Sequence, residues 1–300
     1  MPHATDVVAP GDQEANGAAA SARRRGRRTV IRPSELTWAG LVEQLRTLPE
    51  YLDLLITLSI HRINVRYRQT ALGIVWAILQ PLLLMVIFTG VFSILARMPS
   101  EGAPYALFAY TALVPWTFFA TALTNATSSL VNHTQLITKV YFPREILPIT
   151  YVIAAIFDFA IGCAVLAVLM LVFGVELTPN ALYAVPIVLI LIGWVLAVSL
   201  VCAAAQVRWR DVGVALPLVL QLWMFASPVV YPLSVVPDTW RWWYLLNPLA
   251  GVIDGFRQAL LHAGAPDPAP LRYAAAVTAV ALPVAYLLFK RAEATMADVV

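Results

Sequence analysis

RYRQTALGIVWAILQP, residues Arg66 to Pro81, marks the point where a helix with a polar stripe ends and a continuous apolar segment begins. Downstream, Leu72 to Ala96 carries no charged residue, and a helix of this length, at about 1.5 Å per residue, crosses the hydrocarbon core of a membrane. Upstream, polar residues recur every three or four positions, which is typical of an amphipathic helix lying in the membrane interface. These polar positions are Glu50, Asp53, Thr57, His61, Asn64 and Arg68.

The composition places most of the chain in lipid. Of the 300 residues, 60% are hydrophobic and 12% are charged, and the mean hydropathy is +0.76. A water-facing surface needs about a quarter or more charged residues. The basic cluster at residues 23–28 favours an anchor attracted to anionic lipid over a nucleic-acid-binding segment. Cys163 and Cys202 lie in apolar runs, which indicates small buried side chains rather than a disulfide.

Six apolar runs predict an all-α, multi-pass membrane protein with six transmembrane helices. With the N-terminus in the cytoplasm, most of the 20 Lys and Arg residues fall in inner segments, so both termini are predicted to be cytoplasmic. We expect a disordered basic tail at 1–34, an amphipathic interface segment at 35–71, the six-helix domain at 72–292 and a cytoplasmic tail at 293–300. The runs are Leu72 to Ala96, Tyr105 to about Leu123, Ile146 to Phe173, Leu182 to Ala205, Gly213 to Leu233 and Tyr273 to Phe289.

The segment between the fifth and sixth runs, Ser234 to Leu271, is too long for a simple loop. Its second half reads LAGVIDGFRQALLHAG, which is too short to span and holds Asp254 and Arg257 in its middle. A seventh span there would also move the basic residues after the sixth run to the outside. We therefore predict two short amphipathic helices that re-enter the outer leaflet.

The chain lacks the sequence signatures of an enzyme. It contains no Gly-Lys pair and hence no P-loop for a nucleotide, so any ATP coupling has to come from another chain. No HExxH or CxxC motif is present, and no Ser, His and Asp combination suits nucleophilic catalysis. No catalytic residue, metal site or bound cofactor is predicted.

The inner loop between the second and third runs, Ser128 to Pro148, is too long for a tight turn and too polar to span. Apolar residues at helical spacing predict a short cytoplasmic helix that ends at Pro143. Such a helix either rests on the lipid headgroups or docks into a partner protein and transmits its motion. The candidates for this coupling are Leu130, Leu136, Ile137, Tyr141, Arg144 and Glu145.

Four motifs, in the same order along the chain, resemble the permease subunit of ABC exporters for lipid-linked polysaccharides, the Wzm-like O-antigen and teichoic acid export family. The resemblance implies six transmembrane helices, an interface helix, a coupling helix, two re-entrant helices and a homodimer. It also implies two copies of a separate ABC ATPase that uses ATP and Mg. The motifs are YRQTALGIVWAILQPLLLMVIFTGVF, KVYFPREILP, QVRWRDVG, and SPVVYP followed by NPLAGVIDGFRQALL.

Asp158 stands alone in the third run, about 18 Å from its start by helical rise. A charge at such a depth costs about 2.5–3.5 kcal/mol on insertion scales. Two interpretations stay open. The acid is hydrogen-bonded in a packed helix pair, for instance with Tyr151, or it takes part in a pore or relay.

Three other groups carry functional hypotheses beside structural ones. Pore-facing aromatic and amide side chains would suit a glycan, although packing and lipid-belt roles are their default. Juxtamembrane arginines fix topology, and guanidinium groups also bind diphosphate oxygens where a lipid-linked substrate would enter. Outer tryptophans form an interfacial belt or the rim of an outer gate. The pore candidates are Trp76, Gln80, Gln221 and Phe225, the substrate-access candidates are Arg62, Arg66 and Arg68, and the outer-gate candidates are Trp240, Trp242, Trp243 and Tyr244.

We interpret the chain as the transmembrane part of an ATP-driven exporter of lipid-linked polysaccharide in the cell (inner) membrane. The expected partners are the ATPase, a second copy of this chain, the glycan substrate and membrane lipid, without nucleic acid. Two alternatives stay open: a type-2 ABC permease for a small amphiphile such as a drug or haem, and a membrane scaffold that transports nothing.

Overall fold

The computed structural model describes residues 48–68, 72–139, 142–261 and 265–299. Within these ranges all regular secondary structure is helical, which confirms the all-α prediction for them. Short turns of 3-10 helix cover Leu48–Tyr51, Pro179–Tyr183 and Leu233–Val235, and a π-helical segment, Thr89–Leu95, continues α2. The α-helices are α1 (Leu52–Arg68), α2 (Val75–Phe88), α3 (Tyr105–Thr127), α4 (Ser129–Asn132), α5 (Thr134–Lys139), α6 (Ile146–Val172), α7 (Ala184–Arg208), α8 (Asp211–Phe225), α9 (Asp238–Leu245), α10 (Pro248–Leu261) and α11 (Pro268–Val299).

Five helical segments in the described ranges are long and apolar enough to cross a membrane. Each has between 21 and 30 residues, and a bilayer core requires about 20. They coincide with the first four predicted runs and the sixth. The segments are Val75–Leu95, Tyr105–Thr127, Ile146–Val172, Pro179–Arg208 and Pro268–Glu293.

The fifth predicted run, Gly213 to Leu233, is not one continuous helix in the structure, because α8 covers only its first part. α8 ends at Phe225 after 15 residues, about 22 Å at the usual rise, which is shorter than a hydrocarbon core of about 30 Å. Pro228, just beyond the helix, has no backbone N–H to continue it. Hydropathy therefore overestimated the helix, because apolar residues continue through a break that turn chemistry imposes.

Side chains satisfy the carbonyl groups that this break exposes. The Tyr231 hydroxyl donates to the carbonyl oxygen of Phe225 at 2.6 Å. The Asn247 amide donates to the carbonyl oxygen of Ala226 at 3.3 Å and to the Ser227 hydroxyl at 2.9 Å. The turn after α8 is thus fixed by residues that precede α10, so the break is a built feature of the fold.

The main core surrounds α3, the most deeply buried of the long helices. Phe108, Leu113, Phe119 and Leu123 on α3 are fully buried, and α3 packs against α2, α6, α7 and α10. A helix that is apolar all round is stable only where other helices cover it. α3 therefore forms the centre around which the other spans are arranged.

A second apolar cluster lies at the end of the bundle that holds residues 128–148, which we call the loop end. Leu130, Ile146 and Leu147 meet Phe289 of α11 there, and all four are fully buried. The apolar side of α1 packs against this cluster through Leu54, Leu55 and Leu58, and Tyr51, at the end of the preceding 3-10 turn, packs there as well.

The predicted polar face of α1 is exposed throughout the described residues, at Asp53, Thr57, His61, Asn64 and Arg68. Some apolar residues of the helix are also half exposed. A polar face, an exposed apolar stripe and a packed side together suit a helix held against the bundle at a membrane interface. The exposed apolar residues are Leu52, Ile56, Ile60 and Val65.

The two short helices predicted between the fifth and sixth runs are present as α9 and α10. α10 is buried over almost its whole length against α3, α7 and α11. Gly251 and Gly255 permit this contact, since a Cβ at either position would lie within 2.6 Å of Pro270 or Leu271 at the start of α11. The charged residues in the middle of α10, Asp254 and Arg257, therefore lie inside the protein.

Candidate functional site

A cavity of about 230 Å³ opens between the end of α1 and the helices α2, α3 and α6. It combines charged, amide, hydroxyl and aromatic groups, which is unusual within apolar spans. Its lining residues include Arg66, Tyr67, Trp76, Gln80, Thr117 and Asp158. The cavity therefore gathers candidates that the sequence placed in three separate groups, for substrate access, for the pore and for the intramembrane acid.

Asp158 is held at the wall of this cavity by two residues of α1. The Arg66 guanidinium forms an ion pair with one carboxylate oxygen, and the Tyr67 hydroxyl donates to the other. The side chains of Arg66 and Asp158 are 44% and 19% exposed, so the pair borders the cavity opening. The partner suggested from the sequence, Tyr151, was wrong, because α1 lies against α6 and supplies a cation that spacing along α6 alone could not show.

Arg62 forms a second attachment between α1 and α6. Its Nε donates to the Thr150 hydroxyl at 2.9 Å, and its guanidinium carbon lies 3.6 Å from the centre of the Tyr151 ring. The His133 imidazole approaches at 3.5 Å. Burial lowers the pKa of Arg62 and also that of His133. Arg62 thus fixes α1 in place and does not line the cavity.

The pore candidates divide into two places. Trp76 and Gln80 lie one turn apart on α2, and both line the cavity. Gln221 and Phe225 lie on α8, are exposed, and do not line it. Arg68, the third access candidate, is exposed and also lies outside the lining. Within one copy of the chain, α8 therefore contributes no wall to this cavity.

The outer-gate candidates lie on α9. Trp240, Trp242 and Trp243 are exposed, and the rings of the latter two have centroids 4.0 Å apart. Tyr244 is half buried, and its hydroxyl is 2.6 Å from that of Tyr231 in the turn after α8. Burial, together with this hydrogen bond, raises the pKa of Tyr244. α9 thus presents three tryptophans outward and uses its tyrosine to attach to the rest of the fold.

Arg257 on α10 is a functional candidate that the sequence analysis missed. It is fully buried, its Nη2 donates to the carbonyl oxygens of Pro228 and Val229 at 2.9 and 3.3 Å, and its guanidinium lies 3.6 Å from the Phe108 ring centre. Burial lowers the pKa of Arg257 to about 10 and raises that of Asp254, one turn earlier, to about 6. The signal in the sequence was the presence of two charged residues, Asp254 and Arg257, inside an apolar run. Charges in such a run are costly unless they are paired or functional.

The coupling candidates at the loop end occupy different environments. Leu130 is fully buried in the second cluster, so it is not available for docking in this structure, whereas Leu136 and Ile137 on α5 are half exposed. Tyr141 lies outside the described residues. Arg144 and Glu145 come directly before α6, and both bond to the last part of α11.

The chain is similar to known transport proteins over most of its length. The chain matches the ABC-2 type transporter family over residues 54–261. It is 30% identical over 260 residues to the O-antigen export system permease protein RfbA of Myxococcus xanthus, covering 86% of this chain and 99% of that protein. It is 30% identical over 213 residues to RfbA of Klebsiella pneumoniae, covering 70% and 81% of the two chains. Against the polysialic acid transport protein KpsM of Escherichia coli, identity is 26% over 247 residues, covering 80% and 93%.

These features define a helical, multi-pass membrane protein with a cavity among its spans whose lining includes charged and polar side chains. The chain belongs to the ABC-2 type transporter family.

Proposed function

We propose that this chain is the transmembrane permease subunit of an ATP-driven exporter that moves a lipid-linked polysaccharide, O-antigen-like or teichoic-acid-like, across the cell membrane. The observation that carries the proposal is similarity over 99% of the length of an O-antigen export permease. The matched family region, 54–261, includes α1, α2, α3 and α6, which build the cavity.

The chemistry of the cavity supports a glycan or its lipid diphosphate as the substrate. Trp76 offers an aromatic face, Gln80 offers an amide, and Arg66 offers a guanidinium for anionic oxygens. A phosphate oxygen would compete with Asp158 for Arg66, which links substrate binding to the attachment of α1. The role of Arg66 in substrate access and of Trp76 and Gln80 in the pore is part of this proposal.

The energy source in this proposal is a separate ABC ATPase, in two copies that use ATP and Mg, because the sequence contains no P-loop. The chain itself would act as a homodimer. Support comes from α8, whose apolar residues Val214, Leu218 and Leu222 are 82%, 62% and 64% exposed in one copy. A second copy packed on this face would also bring Gln221 and Phe225 to the dimer axis.

The proposed topology has both termini in the cytoplasm of an inner membrane protein, with α8 and the turn after it serving as the fifth of six spans. In this arrangement α9 and α10 form the re-entrant pair at the outer side, and the loop end faces the ATPase. Two observations support it: the loop end and the α9–α10 pair lie at opposite ends of the bundle, and the N-terminal residues 23–28 are basic.

A deletion and complementation experiment tests the proposed function. Cells that lack this gene should accumulate the polymer inside and lose it from their surface, and the wild-type gene should restore export. The double variant Trp76→Ala/Gln80→Leu should lower surface polymer at least tenfold at a normal protein level. Val86→Ala, on the same helix but outside the cavity, serves as the matched control. Normal surface polymer in the deletion strain would refute the proposal, and loss of drug or haem efflux there would favour a permease for a small amphiphile.

A further inference from the structure

A group of charged residues connects the inner loop to the last helix; two of them, Glu145 and Lys290, have buried side chains and the other two are partly buried. Its members are Arg144 and Glu145, directly before α6, and Lys290 and Glu293 near the end of α11. We call these four residues the charge cluster. They lie beside the second apolar cluster, where α4, α6, α7 and α11 meet.

Every member of the charge cluster bonds across the junction between the loop and α11. The Lys290 ammonium donates to Glu145 at 2.7 Å and to Glu293 at 2.8 Å. The Arg144 backbone N–H donates to the Glu293 carboxylate at 3.2 Å, and its guanidinium donates to the Glu293 carbonyl oxygen at 3.0 Å. The Tyr286 hydroxyl, one turn before Lys290, adds a bond to Glu145 at 3.2 Å.

Burial makes these bonds mutually dependent. The side chains of Glu145 and Lys290 are 1% and 8% exposed. A buried charge is tolerated only when it is paired and hydrogen-bonded, and removing one partner leaves the other uncompensated. The formal charges of the four residues sum to zero. The start of α6 and the end of α11 are therefore joined by bonds that cannot be exchanged for water one at a time.

The charge cluster is linked through α6 to the cavity and through α11 to α10. α6 carries Asp158 at the cavity wall, so displacement of its first turn acts on the cavity. α11 packs along α7, and its first turn carries Pro270 and Leu271 against the glycines of α10. α10 in turn holds the turn after α8 through Arg257. The charge cluster at the loop end is thus bonded both to α6, which lines the cavity, and to α11, which packs against α10 at the opposite end of the bundle.

We propose that Lys290 is a positioning residue for energy coupling, which joins the inner loop to α11 so that a displacement imposed by the ATPase is delivered to α6 and α11 together. This inference rests on the proposed function and names a residue through which the loop acts. Without the cluster, the loop would move α6 while α11 stayed behind. ATP would then be hydrolysed with little export.

The test uses the complex of this chain with its ATPase. The double variant Glu145→Gln/Lys290→Met removes the two most buried charges while nearly keeping their shapes. The Glu293 carboxylate, which loses Lys290, is 22% exposed and keeps the bond from the Arg144 backbone N–H. We expect this variant to copurify with the ATPase and to lower polymer exported per ATP hydrolysed at least tenfold. The conservative variant Lys290→Arg, which keeps a cation between the carboxylates of Glu145 and Glu293, should retain most of the coupling. Arg291→Met, an exposed neighbour, is the control and should behave as the wild type.

The outcomes separate this inference from the proposed function. A double variant whose export per ATP stays within twofold of the wild type overturns the inference. Loss of the assembled complex in the double variant would assign the cluster to folding alone and would also overturn it. Failure of the wild-type chain to bind an ATPase or to export polymer would instead refute the proposed function, because that arm contains no substitution.

Discussion

Gly251→Ala tests the contact on which the placement of α10 depends. An alanine Cβ at this position would lie 2.5 Å from the carbonyl oxygen of Pro270 and 2.9 Å from its carbonyl carbon. Favourable C···O contacts are about 3.3–3.6 Å, so the backbones of α10 and α11 must separate by up to about an ångström. Overpacking of this kind costs about 1–3 kcal/mol. Neither backbone can avoid the clash by rotating a side chain, which makes this position more sensitive than its neighbours.

Two other glycines supply a graded comparison. A Cβ at Gly255 would approach the flexible end of Leu271 at 2.6 Å, and one at Gly162 would only touch Val114 at 3.5 Å. We expect Gly251→Ala to be the least stable of the three alanine variants, Gly255→Ala to be intermediate, and Gly162→Ala to match the wild type.

Thermal unfolding of the purified protein in detergent, followed by tryptophan fluorescence, measures the series. At about 2–4 °C for each kcal/mol in chains of 150–250 residues, the Gly251→Ala variant should unfold about 2–12 °C below the wild type. A midpoint within 1 °C of the wild type, or an equal loss in Gly162→Ala, would show that α10 does not pack on α11 at this distance.

Three further predictions follow from the same structure. Asp158→Asn should keep more than half of wild-type export, because Arg66 is 44% exposed and can turn to water at a cost of about 1 kcal/mol; loss of surface polymer at a normal protein level would give the acid a direct role in transport. Leu136→Asp/Ile137→Asp should abolish copurification with the ATPase while the spans stay inserted, and unchanged copurification together with unchanged export would make α5 a simple connector. Trp243→Cys, in a cysteine-free background, should react with an impermeant thiol reagent from outside the cell only, and labelling from the cytoplasmic side would refute the proposed topology.

The sequence predicted well the elements whose structure depends mainly on the residues of one continuous segment. Long apolar runs predicted α2, α3, α6, α7 and α11, because each must satisfy its backbone within itself to cross a membrane. The polar stripe of α1 likewise predicted which of its residues would be exposed, as Thr57 and His61 show. Hydropathy and periodicity are sufficient in these cases, since neither requires knowledge of the distant residues that each helix contacts.

The features that the sequence did not predict depend on residues far apart in the chain. The partner of Asp158 is on α1, and the partners of Arg257 are two backbone carbonyls in the turn after α8. Lys290 bonds to Glu145 across 145 positions. Apolar content alone did not indicate that α8 would end at Phe225, because most residues after it are still apolar; Pro228 was the only local sign of the break. Only the packing of the helices makes these pairs neighbours.

Transport by the purified complex in sealed vesicles is the measurement that tests the central claim most directly. The chain and its ATPase are reconstituted together, the lipid-linked polysaccharide is supplied on the ATPase side, and the polymer that reaches the opposite side is measured with and without ATP. We predict ATP-dependent movement of the polymer that requires both chains and falls at least tenfold with Trp76→Ala/Gln80→Leu. ATP-dependent movement of a small amphiphile with no movement of the polymer would contradict the account.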